Sequence, residues 1–255
     1  MTAAHGLCHT GGVSPPVRAG VRARNRAAIE AEILESARAH LATDGAAALS
    51  LRAVARDLGM VSSALYRYVA SRDELLTLLI VSAFTSLGDA VDRAHDQQPA
   101  DDLTARWRAV GHALRGWALA HPHEYALVYG SPVPDYRAPA ERTMDPGTRV
   151  FAVLVRLLGD ASRAGELASD SFTPHLTEEL STQATAAAGT MLDDPFLAGS
   201  GLDADSLMAG LAAWSLVMGA LSAEVFGHLG GDTVADPEAY FDYQLEVARR
   251  LVLRT

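Results

Sequence analysis

The chain has 255 residues, of which 49% are hydrophobic, so it can bury a sizeable core as one large or two modest domains. Its net charge of −10 argues against a uniformly basic nucleic-acid-binding protein, and its single cysteine, Cys8, excludes an intramolecular disulfide. Its longest apolar stretches fall below the roughly 18 to 20 residues of a membrane helix. We therefore expect a soluble globular protein in a reducing cytoplasm, with no membrane partner.

Charge is distributed unevenly along the chain. Residues 1–72 contain nine arginines against five acidic residues, a net charge of +4. Residues 73–255 contain twelve arginines against 26 acidic residues, a net charge of −14. A basic N-terminal part on an acidic remainder directs one face of the molecule towards phosphate and repels phosphate elsewhere. This asymmetry favours DNA binding by the N-terminal part.

The first 23 residues are rich in Gly, Pro and Ser and lack an apolar run of signal-peptide length. Residues 1–23 are therefore predicted to be a disordered arm. Arg18, Arg22, Arg24 and Arg26 lie on this arm or just after it. Such an arm would track phosphates or enter a minor groove, and a solvated leader is the alternative.

The stretch from Leu51 to Val69 has the spacing of a helix-turn-helix. This motif needs a small residue where its helices cross, a turn residue that tolerates positive φ, and an apolar anchor on the second helix. Ala55, Gly59 and Leu65 supply these three features in order. We therefore predict a helix-turn-helix domain at residues 24–72.

If Leu65 faces the core, polar side chains of the second helix face outward. Arg can read guanine in a major groove, and hydroxyl groups can hold phosphates. Val61 cannot cap this helix, so Ser62 is an alternative N-cap that would then not contact DNA. Tyr68 either closes the core or faces DNA, and Arg52 is either a phosphate contact or plain surface. The predicted DNA-contacting residues are Arg24, Arg52, Ser62, Ser63, Tyr66, Arg67, Tyr68 and Arg72.

The N-terminal part resembles the tetracycline-repressor (TetR) family of bacterial transcription regulators. The resemblance rests on a first helix with ILESARAHLATDGAAALSL, a recognition-helix end with LYRYV and a fourth-helix start with SRDELL, and covers residues 24–90. In the C-terminal part, Trp214 and Gly219 resemble a TetR subgroup named for Trp-His-Gly, with Met218 at the His position. The resemblance implies a regulator that binds operator DNA.

The rest of the chain is predicted to be helical. A long helix capped by Ser71 runs to about Arg93, and Pro122 ends the next one. Further helices are predicted over 149–159, from the acidic start at Asp203 and Asp205, and from Pro237, whereas residues 160–202 have no clear pattern. Leu103, Trp107, Val110, Leu114, Trp117 and His121 form a stripe at helical spacing. We predict an all-α fold, with a larger helical ligand-binding and dimerisation domain at residues 73–255.

Aromatic and thioether side chains on the inward stripes of these helices are candidates to line a cavity for an uncharged aromatic or lipophilic molecule. Ordinary core packing is the alternative for most of them, and we expect only two or three to touch a ligand. The predicted ligand-binding residues are Trp107, His112, Trp117, Tyr125, Phe151, Trp214 and Met218.

The last two helices are predicted to form an antiparallel hairpin, and two such hairpins about a two-fold axis make a four-helix dimer interface. The penultimate helix carries a stripe of Leu207, Leu211, Trp214, Met218, Leu221 and Val225. A hairpin buried inside a monomer is the alternative. The predicted interface residues are Leu211, Leu221, Val225, Phe241, Leu245 and Ala248.

Enzyme and metal-binding functions have little support. His121, His123 and Glu124 lie close together, but neither an H-E-x-x-H motif nor a Cys partner accompanies them. A helical enzyme with His112, His121, His123 or His175 as base lacks G-x-S-x-G and Gly-rich phosphate-loop motifs. We therefore predict no catalytic residue, cofactor or metal. The favoured function is a homodimeric repressor released from a pseudopalindromic operator by a small molecule, and the alternative is a ligand-independent architectural DNA-binding protein.

Overall fold

The computed structural model describes residues 17–168, 178–194, 197, 199–230 and 233–254. Within these residues the chain is all-α, as predicted, and extended segments meet only at an isolated antiparallel bridge between Leu167 and Leu253. The helices are α1 (Val17–Asp44), α2 (Leu51–Asp57), α3 (Ser62–Leu65), α4 (Arg72–Asp96), α5 (Leu103–Ala120), α6 (Pro122–Tyr129), α7 (Ala140–Ala164), α8 (Glu178–Leu192), α9 (Ala204–Val225) and α10 (Pro237–Val252).

Helix α1 begins earlier than predicted. Residues 17–23, assigned to the disordered arm, are helical, and residues 1–16 lie outside the described part. The segment lacks apolar periodicity, but Arg and Ala are strong helix formers and Nε of Arg26 lies 2.7 Å from Glu30 one turn later. The helix ends at Asp44, and Gly45 follows with φ of +76°.

Two hydrophobic cores share helix α4. Leu75 and Leu79 pack with α1, α2 and α3 in the core of the N-terminal domain, called the head below. Leu87 and Val91 pack with α5 and α7 in the core of the larger C-terminal domain, called the body below. The core of the head therefore includes residues from the first turns of α4. These residues lie after the domain boundary that was predicted at residue 72. One continuous helix joins the two cores.

Several helices begin where side-chain caps predict. The side-chain oxygen of each cap accepts a hydrogen bond from the backbone amide three residues later, at 2.8–3.1 Å. Carboxylates also favour the positive end of the helix dipole. The capping residues are Ser71, Asp102, Asp203 and Asp236.

The segment over residues 160–202, left without a pattern, contains the end of α7 and the whole of α8. Helix α8 packs against α9, and most of its described side chains are exposed. Residues 169–177, which include His175, and residues 195, 196 and 198 lie outside the described part.

The buried face of α9 differs from the predicted stripe. Leu207 and Leu221 are buried as expected, but the other deeply buried positions are Ala213, Val217 and Ala220. Because α9 is apolar on nearly every side, periodicity could not select the face that contacts the body. The stripe of α5 is confirmed, since all its members before His121 are buried.

Candidate functional site

The helix-turn-helix is built as its spacing predicts. Ala55 on α2 and Leu65 on α3 are 1% and 0% exposed, so they pack where the two helices cross. Gly59 adopts φ of +64°, and the amide of Met60 donates to the carbonyl of Ala55 at 2.8 Å. The turn therefore holds α3 with one face towards the core and the opposite face towards solvent.

The outer face of α3 and the residues directly after it carry polar side chains. Ser62, Ser63, Tyr66 and Arg67 are all exposed. Val61 occupies the N-cap without a side-chain hydrogen bond, so Ser62 is the first residue of the helix and not its cap. Its hydroxyl therefore stays open to a DNA contact, and contact by these four residues remains a prediction.

Tyr68 and Arg72, predicted to face DNA, make contacts inside the head instead. Tyr68 is half-buried against the head core, and the guanidinium of Arg26 lies 5.5 Å from its ring centroid. Nη2 of Arg72 donates to the carbonyl oxygens of Ala46 and Ala47 at 3.0 and 3.1 Å. These contacts support structural roles for both side chains, and contact with DNA by Tyr68 and Arg72 stays a prediction.

Three other arginines of the head keep their charge open to solvent. Arg24 on α1, Arg52 on α2 and Arg67 after α3 are exposed, and none makes an ion pair with another described residue. Unpaired arginines beside an exposed recognition helix suit phosphate and guanine contacts. Arg24 presents its charge from a helix, whereas the prediction placed it at the edge of a disordered arm.

A narrow apolar crevice lies in the body between α5, α7, α9 and α10, in the region where a ligand cavity was predicted. Its volume is about 20 Å³, which accommodates about one water molecule. The lining is almost wholly apolar, and a small molecule would have to displace side chains to enter. The lining residues are Trp107, Val110, Gly111, Leu114, Leu154, Trp214, Val217 and Leu245.

Two of the predicted ligand-binding residues, Trp107 and Trp214, line this crevice. The indole nitrogen of Trp107 donates to the carbonyl of Leu245 at 3.0 Å, so it is not free for a ligand. Phe151 and Met218 pack half-buried against the body core and do not line the crevice.

Trp117 and Tyr125 form hydrogen bonds to neighbouring helices and do not line the crevice. The indole nitrogen of Trp117 donates to Oγ of Ser86 on α4 at 3.0 Å, and its ring stacks on His121 with centroids 5.0 Å apart. The phenol of Tyr125 is hydrogen-bonded to Oγ of Ser222 on α9 at 2.8 Å. Burial raises the pKa of the Tyr125 phenol, so it stays protonated and able to donate.

The histidines His112, His121 and His123 do not line the apolar crevice. His112, predicted to contact a ligand, is 44% exposed at the surface, where Nε2 lies 3.3 Å from Oδ1 of Asp242. Nδ1 of His121 is 3.0 Å from the carbonyl oxygen of Trp117, and His123 is exposed. No group of three metal-ligating side chains occurs within the described ranges.

Four of the predicted dimer-interface residues are buried inside one protomer. Leu221, Phe241, Leu245 and Ala248 are 0–3% exposed, because α5 covers the α9–α10 hairpin. These four are therefore corrected to intramolecular core, which matches the alternative that the sequence left open. Leu211 and Val225 are only half-buried and retain surface for a partner.

An ion pair between Arg38 and Glu124, which was not predicted from the sequence, connects the head to the body and is called the joint below. Nε of Arg38 on α1 donates to Oε1 of Glu124 on α6 at 3.1 Å, and its Nη2 donates to Oγ of Ser82 on α4 at 2.7 Å. Glu124 is only 8% exposed. Because the two charges are 86 positions apart, no local spacing reveals the pair.

Helices α4 and α9 are long and apolar enough to span a membrane by length and composition alone. Core helices of water-soluble proteins pass the same test. Half of the apolar stretch of α4 is buried inside the protomer, whereas only 28% of that of α9 is buried. Most of the other residues of α9 are half-buried, and Asp205, Ser215 and Gly219 are exposed.

A compact helix-turn-helix with an exposed second helix, joined by a long helix to a larger helical body, defines a DNA-binding transcription regulator. Residues 33–79 match the bacterial regulatory proteins of the tetR family, and residues 107–248 match the tetracyclin repressor-like C-terminal domain. The chain belongs to the TetR family of transcription regulators and is not an enzyme.

Two curated relatives are similar over most of their length. The HTH-type transcriptional regulators Rv1816 of Mycobacterium tuberculosis and Mb1846 of Mycobacterium bovis are each 45% identical over 229 residues, covering 89% of this chain and 93% of theirs. The crystal structure of putative regulatory protein SCO4313 is 33% identical, with a TM-score of 0.70 and coverage of 89% of this chain and 98% of that chain. A putative tetR family regulator from Shewanella shares the fold at 14% identity and a TM-score of 0.56, covering 89% and 98% of the two chains.

Proposed function

We propose that this protein is a cytoplasmic, homodimeric repressor that binds a pseudopalindromic operator and is released from it by a small apolar or aromatic molecule. The observation that carries the proposal is the exposed polar face of α3 together with Arg24, Arg52 and Arg67, which are exposed on the same domain and make no ion pair with a described residue. Basic side chains in this arrangement hold a recognition helix in a major groove through phosphate contacts, while Arg67 and the hydroxyl groups are available for base edges.

A homodimer is supported by the outer face of α9. Ser215, Gly219 and Phe226 are exposed at spacings that place them on one face of the helix, with Leu211 half-buried one turn earlier. Burying such a face requires a partner, and the small side chains allow a second helix to approach closely. A second copy is the partner that a two-fold operator requires, because one short recognition helix reads few base pairs.

An effector would act through the apolar crevice between α5, α7, α9 and α10. At about 20 Å³ the crevice is closed to anything larger than water, so a ligand must select a conformation in which these helices move apart. The apolar lining favours an uncharged aromatic or lipophilic molecule. To change operator occupancy strongly, the ligand must prefer the non-binding conformation by several kcal/mol.

Contacts along α6 provide a route from this region to the head. Tyr125 bonds to Ser222 on α9, and the adjacent Glu124 pairs with Arg38 on α1. A shift of α9 on ligand binding would therefore be transmitted to α6 and then to the first helix of the head. The short length of α6 makes it a rigid link of this kind.

The proposal is tested by fluorescence anisotropy with DNA from upstream of the protein's own gene, followed by titration with a small-molecule panel. We expect a footprint with two-fold symmetry and loss of binding with an apolar member of the panel. Binding that persists with every compound would favour the ligand-independent architectural protein. Absence of sequence-dependent binding at any salt concentration would overturn operator recognition.

A further inference from the structure

A polar cavity lies at the end of the body, between the end of α4, the start of α5, the second half of α7 and the loop before α9. Its volume is about 330 Å³, much larger than the apolar crevice, and the two share no lining residue. Cavities of this size accommodate metabolite-sized ligands. The lining includes His95, Arg106, Arg156, Asp160, Arg163 and Ser200.

The floor of the cavity is a buried arginine held in place by its neighbours. Arg106 and His95 are 5% and 6% exposed. Nε of Arg106 donates to Nε2 of His95 at 3.2 Å, Nη1 donates to the carbonyl of Ala100 at 3.0 Å, and Nη2 lies 2.7 Å from Oδ2 of Asp160. These contacts fix the orientation of the Arg106 guanidinium group at the base of the cavity.

The hydrogen bonds of His95 also set its tautomer. A guanidinium can only donate, so Nε2 of His95 must accept, and the ring proton lies on Nδ1. Nδ1 then donates to Oδ1 of Asp96 at 2.8 Å. Both nitrogen atoms of His95 are thus engaged, one by Arg106 and the other by Asp96. The imidazole therefore orients Arg106 and is not available to donate to an anion in the cavity.

One wall of the cavity carries two further guanidinium groups from α7. Arg156 is 52% and Arg163 is 65% exposed in their side chains, and each directs Nη2 to one carboxylate, Asp92 and Asp160 respectively. Their other nitrogen atoms make no hydrogen bond to a described residue. The lining thus carries three guanidinium groups and the carboxylate of Asp160, while Asp92 and Asp96 lie behind it as the partners of Arg156 and His95.

The opposite wall is backbone that is fixed closely to α7. A Cβ at Gly159 would lie 2.7 Å from the carbonyl oxygen of Ser200, so only glycine permits this approach. Oγ of Ser162 donates to the carbonyl of Gly201 at 3.0 Å and holds the loop in this position. Ser200 and Gly201 are therefore held against α7 at this wall of the cavity.

We propose that this cavity binds a small organic anion that carries a carboxylate or a phosphate group. Arg156 and Arg163 each keep nitrogen atoms that make no hydrogen bond to a described residue and can donate to carboxylate or phosphate oxygen atoms, and Arg106 lies below them at the base of the cavity. The site is distinct from the apolar crevice, so it goes beyond the proposed effector response and does not depend on it.

The test is isothermal titration calorimetry on the full chain with four probes at constant ionic strength: inorganic phosphate, glycerol phosphate, succinate and citrate. The double variant Arg156→Gln/Arg163→Gln removes both guanidinium groups and should bind at least about tenfold more weakly than wild type. Arg108→Gln is the matched control, because Arg108 is a 60% exposed, ion-paired arginine on α5 that does not line this cavity. It should bind the probes as wild type does.

Binding by the phosphate compounds or by the carboxylates would identify the anionic group. Failure of all four probes to bind wild type, or equal binding by wild type and the double variant, would overturn the proposal. Circular dichroism and operator affinity check that the variants fold. If the double variant is unstable, the single variant Arg163→Gln, at the more exposed of the two positions, replaces it in the same calorimetric titrations. Its binding to the probes then supports or overturns the proposal. A failure here leaves operator binding intact, so it is distinguishable from failure of the proposed function.

Discussion

Whether an arginine of the head can reach DNA depends on the partners that the fold gives it. Arg72 donates to two backbone carbonyls, and Arg26 lies over Tyr68 and pairs with Glu30, whereas Arg67 has no ion-pair partner among the described residues. Spacing alone predicted which side chains leave the core. It could not predict these partners, because the carbonyls that bind Arg72 lie about 25 residues earlier in the chain.

Arg67→Ala should weaken operator binding by about 1–3 kcal/mol and relax base preference at one position. Tyr66→Phe, which removes only a hydroxyl, should weaken all sequences alike. Fluorescence anisotropy at fixed salt measures both effects. Arg93→Ala, an exposed arginine in the body with no ion pair to a described residue, is the control. Wild-type affinity in both head variants would remove this surface from the DNA interface.

His40 links α1 to α2 through two carboxylates. Its Nδ1 lies 3.0 Å from Oδ2 of Asp44, and its Nε2 lies 2.6 Å from Oδ2 of Asp57. Both nitrogen atoms donate only when the ring is protonated. The hydrogen bond to Asp44 is the largest cause that raises the pKa of His40, with desolvation opposing it and Asp57 adding to the increase.

A pKa raised on folding stabilises the folded state fully below the unfolded-state value of about 6.5. This contribution is lost as pH rises through the higher folded-state pKa. Wild type should therefore lose stability relative to His40→Gln as pH increases from about 6 to 8, as measured by urea unfolding. His123→Gln, at an exposed position, serves as the control. A stability difference that does not change with pH would contradict the charged bridge.

At the scale of elements, the clarity of the hydrophobic pattern decided what the sequence could predict. Helix α5 has one apolar side and a polar remainder, so the prediction of which of its residues are buried is confirmed. Helix α9 is apolar nearly all round, so its buried face depends on α5 and α10, which only the fold reveals. For the same reason the sequence could not show that Leu221, predicted at the dimer interface, is buried in the core of the protomer.

Helix α6 is coupled to α1 by the pair of Arg38 and Glu124, with side chains 33% and 10% exposed. A double-mutant cycle with Arg38→Ala and Glu124→Ala should give a coupling energy of about 1–3 kcal/mol in urea unfolding. The exposed pair of Arg26 and Glu30, within α1, should give no more than about 0.5 kcal/mol in a matched cycle. Equal coupling in the two cycles would mean that the joint adds nothing to the attachment of the head.

At the scale of the whole molecule, α4 contributes residues to both cores. Because the first turns of α4 pack inside the head, the head and these turns move together. The joint at Arg38 adds a second connection through α6, and Nη1 of Arg142 on α7 reaches Oε2 of Glu74 on α4 at 2.6 Å as a third. A rearrangement of the body would therefore change the orientation of the head. In a dimer this alters the separation of the two recognition helices, on which binding to two half-sites depends.

This dependence makes the outer face of α9 a test of the whole assembly. A Cβ at Gly219 would meet nothing within 4 Å, so Gly219→Arg should leave the protomer folded while placing a bulky charge on the proposed interface. Gly116→Arg is the same change at an equally open, exposed helical glycine on α5. Light scattering should show a monomer for Gly219→Arg and a dimer for Gly116→Arg. Because one short recognition helix reads too few base pairs to bind tightly alone, operator affinity should fall with the dimer, and a Gly219→Arg protein that stays dimeric would place the interface elsewhere.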